Sequence, residues 1–283
     1  MIPVSFDYVA PTTVDDAVRE LAAAGEDGKV LAGGQSLLPV LRMRLAAPAK
    51  VIDLGRVPEL HGVREDGNDV VIGAMTTHYE VQRDPLVREH LSLIALATET
   101  VADPQVRHRG TFGGSLCHAD PAGDLLAPAL ALDAVMTVAG PSGRRSIPAA
   151  EFFVDYFTTA MAEDELLVEV RMPKFTGWHA HYEKFSVSAQ AWSVVSVGVA
   201  VRVSGVTIAE ARIGLTNMAA TPVRAMAVEE ALVGQPAFAH NITAAAAHAA
   251  ENTSPTTDGD ADGEFRSHLA RVLTGRAVTA AIG

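Results

Sequence analysis

Two glycine pairs about eighty residues apart set the terms for this fold: Gly33-Gly34, within Leu31-Ala32-Gly33-Gly34-Gln35-Ser36, and Gly113-Gly114, within Thr111-Phe112-Gly113-Gly114-Ser115. Two missing Cβ atoms let the backbone turn tightly, adopt positive φ and aim N–H groups at an anion. Each pair is followed by a small hydroxyl, Ser36 or Ser115, and each adjoins an expected strand or helix. The pairing predicts one ligand held from two sides. A dinucleotide pyrophosphate suits such a site, because amide dipoles and hydroxyls can meet its charge without a lysine. No G-x-G-x-x-G occurs, so a Rossmann cradle is not supported.

At 283 residues and 48% hydrophobic content, the chain can bury a large core in one or two domains. Its formal charge of −12 argues against nucleic acid and against anionic membrane surfaces as partners. No basic, apolar leader and no apolar run of spanning length stands out, which makes the cytoplasm the expected address. With Cys117 as its one cysteine, the chain cannot build an internal disulfide, a thiolate zinc site or a thiolate-held iron–sulfur cluster. Any such centre belongs to a partner, and Cys117 reads as a small packed residue.

Capping residues and apolar spacing predict a helix from Thr12 to about Gly25, followed by short strands at 29–32, 51–54 and 70–73. Further helices are expected over 86–101 and from Asp124 to Leu132, the latter with its positive end beside the second glycine pair. Strands at 134–138, 166–172, 181–185, 194–203 and 208–215 follow, the last group predicting an antiparallel sheet covered by helices over 224–232, 242–251 and 265–279. The acidic run Asp258 to Glu264 imitates half an EF-hand, but Leu269 stands where the twelfth-position acid is needed, so a solvated loop is expected.

Asp120 and Asp124 could cap a helix or accept hydrogen bonds from ribose or flavin edges. His78, after Thr76-Thr77, is a possible ligand contact, whereas His108 and His118 read as polar loop residues. Lys184 reads either as an exposed strand lysine or as a site residue, and Trp192 as core or as a shelf for a planar ring. No G-x-S-x-G elbow supports a serine hydrolase.

Taken together, Phe6-Asp7-Tyr8 with Pro11, 31–38 with Arg42-Met43-Arg44, 72–78, 103–124 and Glu183-Lys184-Phe185 resemble the FAD-binding medium subunits of molybdenum hydroxylases. The resemblance spans essentially the whole chain and is nearest to the medium subunit of aerobic carbon monoxide dehydrogenases. It implies an α+β protein: a two-lobed FAD-binding domain of the vanillyl-alcohol-oxidase (PCMH) type over 1–176, with lobes of about 1–57 and 58–176, then a smaller α+β domain over 177–283. It also implies that Ala32, Gly33, Gly34, Gln35, Ser36 and Leu37 form one pyrophosphate loop, and that Thr111, Gly113, Gly114 and Ser115 form the other. Thr76, Thr77 and His78 would approach the nucleotide, Asp124 with Asp120 nearby would contact FAD, Leu167 and Lys184 would flank it, and Trp192 would face the ring. Ser188 and Ala191 stand where family members often carry an Arg and an Asp.

The implied function is electron transfer through FAD. Partners would be an iron–sulfur small subunit and a molybdopterin large subunit in a dimer of heterotrimers, with any membrane association running through them. Alternatives are a medium subunit of an aldehyde, xanthine or N-heterocycle hydroxylase, a self-sufficient flavin oxidoreductase, or an assembly subunit without flavin.

Overall fold

The computed structural model describes residues 2–283. Its first sheet is small and parallel. Strand Lys50–Asp53 lies between Asp7–Val9 and Gly28–Leu31, and parallel pairing requires a crossover. Helix Val14–Ala24 supplies it, capped by the Thr13 hydroxyl on the Asp16 amide and closed by Gly25 at φ 56°. Its buried face, Val14, Ala17, Val18 and Leu21, joins Ile52 and Leu54 below and Ala139, Leu166 and Val168 of the next sheet.

That second sheet is antiparallel, five strands in the order Val63–Asp66, Asp69–Gly73, Leu166–Pro173, Val135–Gly140, Gly143–Pro148. Leu166–Pro173 is central and alternates between two cores. Leu167 and Val170 face the largest apolar cluster, with Phe112, Leu116, Leu125 and Phe152, while Leu166 and Val168 face the helix Val14–Ala24. The third sheet, His179–Phe185, Val195–Ser204, Thr207–Thr216 and Val223–Arg224, is wholly antiparallel. Its inner face is covered by helices Met226–Leu232, Ala239–Ala246 and Gly263–Ile282. The expected α+β class and the antiparallel C-terminal sheet are both present.

Two helices differ from expectation. The chain runs through His78–Arg83, Pro85–His90 and Ser92–Glu99 in turn, so the single helix expected over 86–101 is the last two of these, and the first precedes it. Asp84 ends the first and caps the second through the amides of Leu86 and Val87, while Pro85 lacks the N–H a continuous helix would need. The second break comes at Leu91, where the carbonyl of His90 accepts the Phe175 amide at 2.9 Å instead of continuing a helix. The helix expected from Asp124 begins at Leu126, because Asp124 is drawn away into a buried polar cluster. In the acidic run, Asp258 accepts the amides of Asp260 and Ala261 and pairs at 2.5 Å with the buried Arg266, so it anchors a loop to the C-terminal helix. Among the described residues, no helix is long and apolar enough to cross a membrane.

Candidate functional site

The first glycine pair leaves strand Gly28–Leu31 and turns into helix Leu37–Met43. Gly34 has φ 77°, which only glycine adopts without strain. Among the described residues, the amides of Gly33, Gly34, Gln35 and Ser36 donate to no protein acceptor. Successive free amides on a concave loop form an anion-binding nest.

The second pair behaves differently. Gly113 and Gly114 lie in the first turn of helix Phe112–His118, without positive φ, and the Gly114 amide is taken by the Thr111 hydroxyl. The expectation that both pairs form open, amide-presenting turns is therefore corrected: Gly113 is demanded by packing. A Cβ there would stand 2.6 Å from the Ala74 Cβ and 2.7 Å from its Cα. The Ser115 hydroxyl has no partner among the described residues and lies on the cleft wall.

The two motifs touch. A Cβ on Gly33 would lie 2.2 Å from the Arg109 carbonyl oxygen and 2.7 Å from the Gly110 Cα, just ahead of Thr111. Around this junction opens a cleft of about 780 Å³, a size suited to a cofactor. It runs over the seam between two cores: Ala74 and Leu167 belong to one, Met75 and Leu166 to the other, and all four line it.

Of the expected site residues, Ala32, Gly33, Gly34, Gln35, Ser36, Leu37, His78, Thr111, Gly113, Gly114, Ser115, Asp120, Asp124, Leu167, Lys184 and Trp192 line this cleft. Thr76 and Thr77 do not. The Thr76 hydroxyl accepts from the Gly62 amide at 2.9 Å and donates to the Gly62 carbonyl, and Thr77 forms a capping box with Glu80. Both brace the site from behind, since Thr77 bridges to Thr111 and the Thr76 carbonyl accepts the Phe112 amide.

Asp120 folds back on the Ala122 amide at 2.9 Å and keeps its carboxylate on the wall. Asp124 is buried. One oxygen accepts from Tyr182 and Ser193, each at 2.9 Å, and the other from Lys184 Nζ at 2.8 Å. Burial pushes this carboxyl above the usual range, against the opposing pull of Lys184 and the two hydroxyls. Lys184 is thus no exposed strand lysine: with 9% of its side chain exposed, it also donates to the Thr100 carbonyl. Its charge is largely committed to Asp124. Lys29, which also lines the cleft, supplies a cation that sequence reading missed.

Trp192 is more than half exposed at the mouth, beside His118, which in turn meets Phe157 at 5.2 Å between ring centroids. Phe157 was not foreseen. It holds φ 52° with its amide on the Ala119 carbonyl, a conformation that nothing in the local sequence signals. Cys117 is packed against the Met161 sulfur at 3.8 Å, and burial pushes its thiol up to about 12, so it stays protonated and unreactive.

His78 is almost wholly buried, and its Nδ1 has no protein partner. Burial, with Arg107 nearby, lowers it from 6.5 to about 4, so the imidazole is neutral at physiological pH. A depressed folded value means that the unfolded chain takes up the proton first on acidification. Stability is expected to fall as pH drops from about 6.5 towards 4, by about 3 kcal/mol in total. Urea unfolding of the protein and of His78→Gln across that window checks it, the variant losing the slope.

The unpaired amides, the free hydroxyls and the concave cleft fit an anionic dinucleotide such as FAD. Comparison with known proteins agrees. Residues 4–175 match the FAD binding domain in molybdopterin dehydrogenase, and residues 180–281 match the CO dehydrogenase flavoprotein C-terminal domain. The chain is 41% identical to the carbon monoxide dehydrogenase medium chain of Hydrogenophaga pseudoflava, covering 99% of this chain and 98% of that one. It is 38% identical to the corresponding chain of Afipia carboxidovorans, covering 98% and 97%. A solved carbon monoxide dehydrogenase from Hydrogenophaga pseudoflava superposes with a TM-score of 0.96 at 42% identity, over 100% of this chain and 99% of that one. The chain therefore belongs to the family of FAD-binding medium chains of molybdopterin dehydrogenases, and it is an electron-transfer subunit of a multi-chain oxidoreductase.

Proposed function

We propose that this subunit serves an assembly that oxidises carbon monoxide, receiving electrons from iron–sulfur clusters on a small partner chain and passing them to an external acceptor. The molybdopterin would sit on a third, large chain, the whole pairing as a dimer of heterotrimers in the cytoplasm. The observation that carries this reading is the junction of the two glycine motifs beneath one cleft, lined by a loop with four free amides. A single cysteine gives the chain no thiolate set for a cluster, so any cluster that feeds the flavin sits on another chain.

The named residues would divide the work as follows. Amides of 33–36 and the Ser36 and Ser115 hydroxyls would hold the pyrophosphate, and Lys29 would add a cation. Asp120, Asp124 and Lys184 form the polar wall, Leu37 and Leu167 the apolar one, and Trp192 the outer rim. His78, held neutral, brings a buried ring nitrogen without a protein partner to the cleft lining. Residues 1–176 would carry the cofactor, and 177–283 would close the cleft with Lys184 and the rim. FAD would supply the one- and two-electron chemistry that no side chain here offers.

Native purification with metal analysis and an optical spectrum tests the reading. Flavin, molybdenum and iron are expected to co-elute with dye-reducing activity that depends on carbon monoxide. A yellow monomer active alone, or a colourless chain, would overturn it; activity on an aldehyde or heterocycle instead would replace the substrate and keep the subunit's role.

A further inference from the structure

The rim of the cleft is a hairpin loop, 186–193, between strands His179–Phe185 and Val195–Ser204, closed by the Val194 amide on the Phe185 carbonyl at 2.8 Å. Gln190, Ala191 and Trp192 reach the cleft from it, yet its tip is solvent-exposed and bonded only to itself, through Ser186 and Ala191 to the Ser188 carbonyl. Something at its base has to set its position. Ser193 ties that base to Asp124 through its hydroxyl.

The second tie comes from a residue outside the cleft. Asn217, just past strand Thr207–Thr216, sends its side-chain amide to the Ser193 carbonyl at 2.9 Å and, more weakly, to the Val194 carbonyl at 3.3 Å, which the Arg266 guanidinium also serves. Its backbone amide reaches in another direction, to the Pro121 carbonyl at 2.9 Å. Pro121 lies between Asp120 and Asp124 on the facing wall. One residue therefore spans the base of the rim and the loop of the opposite side, and it does so at φ 61°.

Each requirement narrows the choice of residue. Left-handed φ favours Gly, Asn and Asp. The Ser193 carbonyl, which has no other donor among the described residues, needs a side-chain N–H, which Gly lacks and Asp replaces with acceptors. Asparagine alone among these three meets both. We propose that Asn217 is a positioning residue that locks the 186–193 rim to the 120–124 wall and so sets the width of the cofactor cleft; the inference rests on the cleft being the FAD site.

Three variants of the protein, purified with its co-expressed partner chains, separate the parts. Asn217→Gly keeps the backbone conformation and the tie to Pro121 but loses the side-chain donor. Asn217→Asp sets a carboxylate against two carbonyls, and Asn217→Ala adds backbone strain. Hydrogen exchange over 186–194 is expected to accelerate several-fold in the Gly and Asp variants, with exchange elsewhere in the third sheet unchanged. FAD dissociation constants should rise roughly five- to tenfold in Gly and more in Asp, the scale of one lost hydrogen bond.

A residue needed only for its left-handed turn would leave Asn217→Gly indistinguishable from the parent in both readouts. That result overturns the proposal. Should the parent protein itself fail to bind FAD, the reading of the cleft falls, while the exchange measurement still decides whether Asn217 holds the rim.

Discussion

Gly33→Ala is expected to strip FAD from the protein while leaving it folded. The added methyl would stand 2.2 Å from the Arg109 carbonyl oxygen, 2.7 Å from the Gly110 Cα and 2.9 Å from the Arg109 carbonyl carbon. All three are backbone atoms, so no rotamer change relieves the clash. Either the 33–36 loop lifts or the segment ahead of Thr111 retreats, and in both cases the free amides lose their register with Ser115 across the cleft. Overpacking of this kind costs about 1–3 kcal/mol of stability. The loss to cofactor binding is larger, because lifting the loop misaligns several donors at once; at about 1 kcal/mol per lost hydrogen bond, losing most of the loop's donors weakens binding by roughly 100-fold, and flavin content below about a tenth of the parent is expected. Gly259→Ala is the control: a Cβ there meets nothing within 4 Å and its φ is ordinary, so stability should stay within about 0.5 kcal/mol. Flavin-to-protein ratios by absorbance, with thermal unfolding of both variants, decide the matter. Full flavin occupancy in Gly33→Ala would show that the two motifs do not act on one ligand.

Lys184→Met is expected to give the largest stability loss among the cleft residues and to make it pH-dependent. In the parent, Lys184 faces Asp124 with less than a tenth of either side chain exposed. Removing one member of a buried pair leaves an uncompensated charge and costs about 3–5 kcal/mol. Asp124 would retain only Tyr182 and Ser193 as donors, and its carboxyl, already raised by burial, would rise further. An acid with a raised folded value carries its ionisation cost above that value and sheds it below. The deficit relative to the parent is therefore largest at alkaline pH and shrinks as pH falls through the folded value of Asp124. Urea unfolding of parent and variant at pH 8 and pH 6 measures it. A deficit that grew on acidification would contradict an ionised Asp124, and His78, present in both proteins, cancels in the comparison.

Legibility of the site followed how local each interaction is. Gly33 and Gly34 could be recognised because positive φ and free amides are properties of a short stretch, and Gly34 has that φ. Gly113 was placed in the site for the wrong reason: its need for hydrogen in place of a side chain comes from Ala74, which a pattern around 113 does not contain. The family resemblance implied that Thr76 and Thr77 approach the nucleotide, but their hydroxyls are spent on Gly62 and Glu80. Lys184 and Asp124 were both picked out, yet their pairing across sixty positions was invisible, and so was the buried state that makes Lys184 more than a strand lysine.

The α+β class of the whole chain came with the family resemblance; by itself, the sequence determined the order of most strands and helices, the two glycine motifs and the absence of thiolate ligands for a cluster. These rest on periodicity, capping chemistry, glycine content and composition, all of which act within a few residues or on the chain as a whole. Tertiary structure alone decided that the motifs meet at Gly33 and Gly110, that one cleft lies over the seam of two cores, and that Lys29, Phe157 and Asn217 belong around it. The reason is that a side chain's burial, partner and charge state depend on what the fold brings against it from distant positions, and local pattern carries no record of that.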